Sequence, residues 1–205
     1  TTDRCAPRFT DAFWAGCGDV ESSNRTRMRS PTDKEYFLTV IDTRVDGFTL
    51  RPATEEDCPQ ILHFIRQLAE YEKLSHEVVA TEAKLRQTLF GERPTAEVLL
   101  GFYRSQPVAF ALFFSNYSTF LAQPGIYLED LFVDPAWRGK GFGGALLRYL
   151  AHLAVKRNCG RLEWSVLDWN EPALGFYRSL GAKAQDEWTV HRVTGQALRD
   201  LSQSF

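Results

Sequence analysis

Methionine is almost missing from the chain, with Met28 alone, and cysteine is sparse: Cys5, Cys17, Cys58 and Cys159. No two of these cysteines form a C-x-x-C pair. His63, His76, His152 and His191 are equally scattered, with no H-x-x-x-H spacing. A structural zinc and a secreted disulfide framework are therefore poor readings, and no metal is expected. The thiols read as buried or idle, and the reducing cytoplasm is the simplest compartment. Long apolar runs are lacking too. The longest strongly apolar stretch, Val108 to Phe114, falls far short of the roughly 20 residues a spanning helix needs. Nor is one sign of charge in excess. Lysine and arginine total 24 against 26 aspartates and glutamates, so nothing attracts the bulk chain to nucleic acid or to an anionic membrane.

What is present is the balance of a globular protein. Hydrophobic residues make up 44% of 205, which suits one domain with an appendage. The appendage is the first 45 or so residues. They hold Ser22-Ser23-Asn24, the basic cluster Arg25, Arg27 and Arg29, then Ser30-Pro31, with no sustained period. They lack the apolar core of a signal peptide, and Asp3, Asp11, Asp19 and Glu21 argue against a transit peptide. A loosely packed extension is expected there, with a basic docking arm at 25–29 as the alternative.

From Gly47 the pattern becomes regular. Phe48 to Arg51 reads as a strand closed by Pro52. Thr54 followed by Asp57 resembles an acidic capping box before the helical face Ile61, Ile65, Leu68. A second helix is expected over Glu82 to Leu89, then strands at Val98–Tyr103, Val108–Asn116 and Ile126–Val133, the first two joined as a hairpin at 104–106. After Gly144 the stripe Leu146, Leu147, Leu150, Ala154 predicts a long helix. A strand at Leu162–Leu167, a helix at Glu171–Leu180 closed by Gly181 and a last strand at Trp188–Val193 follow. This order gives a mixed α/β layout around one sheet.

The sharpest local feature is the run Val133-Asp134-Pro135-Ala136-Trp137-Arg138-Gly139-Lys140-Gly141-Phe142-Gly143-Gly144, between a strand and a long helix. Its glycines let backbone N–H groups approach a ligand. The helix N-terminus, Arg138 and Lys140 add positive charge suited to a phosphate or pyrophosphate. Gly139, Gly141 and Gly144 satisfy G-x-G-x-x-G, yet a Rossmann turn follows its strand at once and opens the domain, whereas here Asp-Pro intervenes after at least three strands. Gly144-Ala145 excludes a Walker A loop, which needs Lys-Ser/Thr. A ligand-free glycine turn remains the bland alternative. Downstream, Asn170 is a natural N-cap and Pro172 fits the first helical turn. Tyr177 stands about two turns further on the same side. From spacing alone it reads as a core aromatic in need of a hydrogen-bond partner.

The segment 138–143 satisfies R/Q-x-x-G-x-G/A, and in this setting it resembles the acyl-coenzyme A loop of the GNAT N-acetyltransferase superfamily. Ile126 to Val133, Arg51-Pro52-Ala53-Thr54, Leu68 to Leu74 and Leu167-Asp168-Trp169-Asn170 resemble its diamine (spermidine/spermine) acetyltransferase branch. The Leu-Asp-Trp-Asn wording is similar to members acting on thialysine-like amines. The resemblance implies a mixed, mostly antiparallel central sheet flanked by helices. It also implies acetyl-CoA as cosubstrate, with the backbone of Leu131, Phe132 and Val133 along the pantetheine. Arg138, Gly139, Lys140, Gly141, Phe142, Gly143 and Gly144 would lie at the pyrophosphate, and Asn170, Glu171, Pro172 and Ala173 beside the cofactor. Tyr177 would stand near the sulfur. Tyr71, Glu72, Glu129 and Asp130 would approach a small amine, with Glu163, Trp164 and Ser165 nearby, in a homodimer.

A protonated alkyl amine needs a base, for which Glu129 is the candidate, directly or through a water, with Tyr177 as proton donor to the departing sulfur. Glu129 and Asp130 are adjacent, so a regular strand would point them to opposite faces. Both can line one cleft only if the strand bulges. Acetylation of a protein lysine or N-terminus, and a non-catalytic acyl-CoA-binding regulatory module, stay open as alternatives.

Overall fold

A computed structural model of the chain describes residues 39–205. Cys5, Cys17, the cluster Arg25, Arg27, Arg29 and most of the expected extension lie outside the described residues. One sheet carries six strands in chain order: β1 (Ile41–Asp42), β2 (Phe48–Pro52), β3 (Glu97–Tyr103), β4 (Gln106–Ser118), β5 (Gln123–Val133) and β6 (Leu162–Trp164). The pairings from β1 to β5 are antiparallel and β5 pairs with β6 in parallel. The sheet is thus mixed and mostly antiparallel, as expected. A parallel neighbour needs a crossover, and the long helix α3 (Phe142–Lys156) supplies it.

Local chemistry sets the ends of these elements. Thr54 N–H donates to Asp57 Oδ2 at 2.8 Å, as the capping pair predicts, and Arg51 grips the same carboxylate at 2.7 Å. Helix α1 (Cys58–Tyr71) follows, burying Ile61, Leu62 and Phe64 with Ile65 and Leu68 half-buried beside them. Helix α2 (Glu82–Leu85) is capped by Thr81 and widens into a π turn over Arg86–Phe90, so the expected single helix changes pitch midway. Between β3 and β4 the chain reverses on Arg104 and Ser105, both at positive φ (47° and 70°), which matches the twist of a tight hairpin.

Two apolar cores sandwich the sheet. On one side α3 buries Leu146, Leu147, Leu150 and Ala154 against Phe113, Ile126 and Leu128. On the other, α1 and α2 pack Ile61, Phe64 and Leu89 against Leu100, Phe110 and Phe132. Phe64 stacks on Phe110 with ring centroids 5.5 Å apart. β1 falls within the stretch read as an extension, yet it pairs Ile41 with Leu50, and Ile41 and Val45 pack on the α3-side core.

Two strand readings need correction. The run Leu162–Leu167 forms strand over Leu162–Trp164 and then leaves the sheet. Trp188–Val193 forms no strand. Trp188 and Val190 are 73% and 78% exposed, and strand propensity, which reflects packing on a half-buried pleated surface, has no burial to act on here. Helix α4 (Glu171–Ser179) ends near Gly181, which has φ 86°. A final helix α5 (Gly195–Gln203), unforeseen from sequence, closes the chain. Among the described residues no helix is long and apolar enough to cross a membrane.

Candidate active site

The site begins with one extra residue in β5. Leu128 faces Phe113 and Asp130 faces Leu112, so Glu129 has no partner on β4 and forms a bulge. The bulge shifts the alternation of the strand. Ile126 and Leu128 belong to the α3-side core, and beyond the bulge Leu131 and Val133 pack on that same side while Phe132 enters the α1-side core. The two adjacent carboxylates, which a regular strand would separate, therefore line one cleft of about 470 Å³.

A second feature opens that cleft. β6 stays with β5 only across Ile126–Leu128 and Leu162–Trp164. Beyond it, Leu131, Phe132 and Val133 keep their β4 partners Ala111, Phe110 and Ala109, while among the described residues no strand covers their other edge. Ser165, Val166 and Leu167 form the facing wall. Arg138 reaches across this region. Its Nε donates to the Val133 carbonyl at 3.0 Å, and its guanidinium lies 4.4 Å from the centre of the Tyr71 ring and 5.7 Å from that of Phe132.

The glycine loop closes one end. Asp134 caps the turn Pro135–Trp137 by accepting from Ala136 N–H at 2.9 Å. Gly139 and Gly141 hold φ of 76° and 86°, a left-handed conformation in which a side chain is disfavoured. Phe142 pins the loop to the fold, since its buried ring stacks on Phe48 at 4.1 Å. A Cβ at Gly139 would meet no atom within 4 Å, so a concavity lies open before the first N–H groups of α3, which have no helical acceptor.

Helix α4 supplies the last wall. Asn170 Oδ1 accepts from Ala173 N–H at 3.3 Å as N-cap, and from the Tyr71 hydroxyl at 3.1 Å. Tyr177 lines the cleft two turns on, wedged between the rings of Trp164 at 4.9 Å and Phe176 at 5.3 Å. Burial, and secondarily the negative charge of Glu72, raise the Tyr177 hydroxyl above its usual pKa. Burial also raises Glu72. Asp130 is moved furthest, to about 6, by desolvation first and then by the charges of Glu129 and Glu72.

Of the residues expected at the site, Tyr71, Glu72, Glu129, Asp130, Ser165, Tyr177, the 131–133 backbone and most of the glycine loop come together here, with Asn170, Pro172 and Ala173. Four stand apart from the cleft lining. Lys140 is exposed with its ammonium over the Trp137 ring at 5.8 Å, and Glu171 is exposed at the start of α4, 3.9 Å from Arg178. Glu163 is held by Arg161 at 2.8 Å and by Asn116 at 2.7 Å. Trp164 packs behind Tyr177. Leu68, Trp137, Val166, Leu167 and Phe176 line the cleft without having been singled out. Each is an apolar neighbour of a recognised motif, and apolar type alone does not separate a cleft wall from a core position.

The concavity above Gly139, the α3 N-terminus and the uncovered edge of Leu131–Val133 fit a pyrophosphate continued by an extended amide chain, the form of coenzyme A. Comparison with known proteins agrees. The family model described as Acetyltransferase (GNAT) family matches residues 62–182. The thialysine N-epsilon-acetyltransferase of Bos taurus is 40% identical over 164 residues, which cover 75% of this chain and 96% of that one. The L-ornithine N5-acetyltransferase NATA1 of Arabidopsis thaliana is 34% identical, covering 85% and 98%. Among solved structures, an integron cassette protein from the mobile metagenome of V. cholerae superposes with a TM-score of 0.66 at 26% identity, covering 77% of this chain and 98% of that one. The chain belongs to the GNAT family, in the branch of the diamine acetyltransferases, and is an acetyl-CoA-dependent N-acetyltransferase.

Proposed function

We propose that the acceptor is the primary amine of a small diamine, polyamine or thialysine-like molecule, which attacks the acetyl group directly. The observation that carries this reading is the grouping of Glu72, Glu129 and Asp130 with Tyr177 in one cleft. Three carboxylates attract a cationic acceptor by simple Coulomb interaction. Acetyl-CoA, when bound, supplies a thioester carbonyl open to a nitrogen nucleophile. The backbone of Leu131, Phe132 and Val133 would hold its extended arm, Arg138, Gly139 and Gly141 to Gly144 its pyrophosphate, and Asn170, Pro172 and Ala173 its flank.

The amine enters protonated, with a pKa of about 10 by analogy with lysine. Glu129, on the bulge, takes the proton directly or through a water. A backbone N–H near Leu131 donates to the carbonyl oxygen as negative charge develops on it. Burial raises the pKa of Tyr177 further above neutrality, so its hydroxyl holds a proton; it gives that proton to the departing sulfur and takes back the second proton that the nitrogen sheds on becoming an amide. No acyl-enzyme is required. The free thiols Cys58 and Cys159 suit the cytoplasm. A homodimer would cover the exposed apolar side chains of the C-terminal segment, such as Trp188, Val190 and Leu201.

Acetyl-CoA-dependent thiol release against spermidine, putrescine, thialysine, lysine and a lysine peptide tests the reading. Turnover with a small amine, and little with the peptide, is expected. Turnover confined to the peptide would transfer the activity to protein lysines. Binding of acetyl-CoA without release from any acceptor would favour a regulatory module.

A further inference from the structure

The carboxylates of the cleft provide for the reacting end of the acceptor, and the rim carries the opposite charge. Helix α1 stops at Tyr71. Glu72 N–H then bonds Leu68 O at 2.9 Å and Leu74 N–H bonds Ala69 O at 2.7 Å, which closes the helix around Lys73. Lys73 has φ 62°, the left-handed closing position where glycine or asparagine is favoured. A lysine there has no conformational advantage. From this turn its side chain reaches Trp169, with the ammonium 5.9 Å from the ring centre. Trp169 lies 6.1 Å from the ring of Tyr71, and its neighbour Asn170 holds the Tyr71 hydroxyl. The ammonium of Lys73 therefore stands at the mouth framed by two cleft residues, Tyr71 and Asn170.

Its ammonium has no acidic partner among the described residues, a condition it shares with Lys140 over Trp137. Arg51, Arg86, Arg161 and Arg178 each have an acidic partner. Among the described residues no carboxylate pairs with Lys73, whose one named neighbour is an indole face that leaves the ammonium available. A ligand reaching from the acidic floor past Tyr71, whose ring carries the Arg138 guanidinium at 4.4 Å, comes to the Lys73 ammonium at the mouth. Resting on the acetyl-transfer reading above, we infer that Lys73 is a specificity-determining residue that recognises the α-carboxylate of an ω-amino acid acceptor. A diamine of the same length would bring a second ammonium to a like charge at that point.

The test uses pairs that differ by one carboxylate: L-ornithine with putrescine, and L-lysine with cadaverine. Thiol release is measured for wild type, Lys73→Met, Lys73→Glu and Lys73→Arg. Lys73→Gly is added because glycine is favoured at this φ and removes the charge without strain. The wild type is expected to show the lower KM for the amino acid of each pair. Lys73→Met and Lys73→Gly raise that KM about fivefold, the size of a partly screened ion pair, lower the KM of the diamine by removing the like charge, and leave kcat unchanged. Lys73→Glu turns the preference toward the diamine, and Lys73→Arg restores it. If the two members of each pair keep the same KM ratio in wild type and every variant, the assignment of Lys73 fails while acetyl transfer stands. If wild type releases no thiol with any amine, the acetyl-transfer reading fails and takes the Lys73 assignment with it.

Discussion

The hydroxyl of Tyr71 and the side-chain carbonyl of Asn170 are 99 residues apart in sequence and 3.1 Å apart in the fold. The bond ties the last turn of α1 to the first turn of α4, across the cleft proposed for acetyl-CoA and amine. The same oxygen caps α4 through Ala173 N–H. Asn170→Ala therefore loses two hydrogen bonds from a buried site, and an unfolding free energy lower by about 1–2 kcal/mol is expected. Asn170→Asp keeps an acceptor and should recover most of the loss. Chemical denaturation of the three proteins checks both statements.

Tyr177 bears on the chemical step. Its ring is fixed between Trp164 and Phe176, so Tyr177→Phe keeps the packing and removes a proton donor. A fall in kcat of roughly 100-fold or more is expected, the scale of general-acid catalysis. Calorimetric affinity for acetyl-CoA should stay unchanged. An unchanged kcat would remove the role of the hydroxyl.

Asp130 links the site to stability. Its carboxyl titrates at about 6 in the folded protein against an ordinary 3.8. Between those values the folded chain binds a proton that the unfolded chain has released, so stability declines as pH rises from about 4 to 6. The penalty is absent below the unfolded value and complete above the folded one. Asp130→Asn removes it. The variant should gain about 1–3 kcal/mol at pH 7.5 and approach the wild type by pH 3.5, as read from urea unfolding at both pH values.

Gly139 separates backbone need from ligand need. Its φ of 76° penalises any side chain, but a methyl group there would strike nothing. Gly139→Ala should lower stability by about 1–2 kcal/mol and retain the fold. Crowding the concavity should weaken acetyl-CoA binding by roughly tenfold, the equivalent of one charge-assisted hydrogen bond. Calorimetry against Tm separates the two effects.

Features written into short stretches of sequence were legible. The capping pair Thr54 and Asp57, the α3 stripe from Leu146 to Ala154, the N-cap Asn170 and the glycine loop each depend on residues within a few positions of one another. Features that depend on a distant partner were not. Trp188 to Val193 has the side chains of a strand but lies exposed, with no burial to act on. Glu163 and Trp164 end β6 just before the cleft residue Ser165, yet Arg161 and Asn116 take the first and the ring of Tyr177 the second. Lys73 carries no signal of its own in the sequence, because its position at the mouth depends on Trp169, far along the chain.

The bulge at Glu129 means that β5 is read in two frames. Before it, even-numbered residues enter the α3-side core; after it, odd-numbered residues do. A substitution at 129 changes a charge, whereas a deletion there would restore a single frame. In that frame Ile126, Leu128, Leu131 and Val133 all stay on the α3 side and Phe132 on the α1 side, so both cores survive, while Asp130 loses the bulged neighbour that shares its cleft. The extra residue therefore serves the cleft and not the cores, so its deletion should cost activity far more than stability.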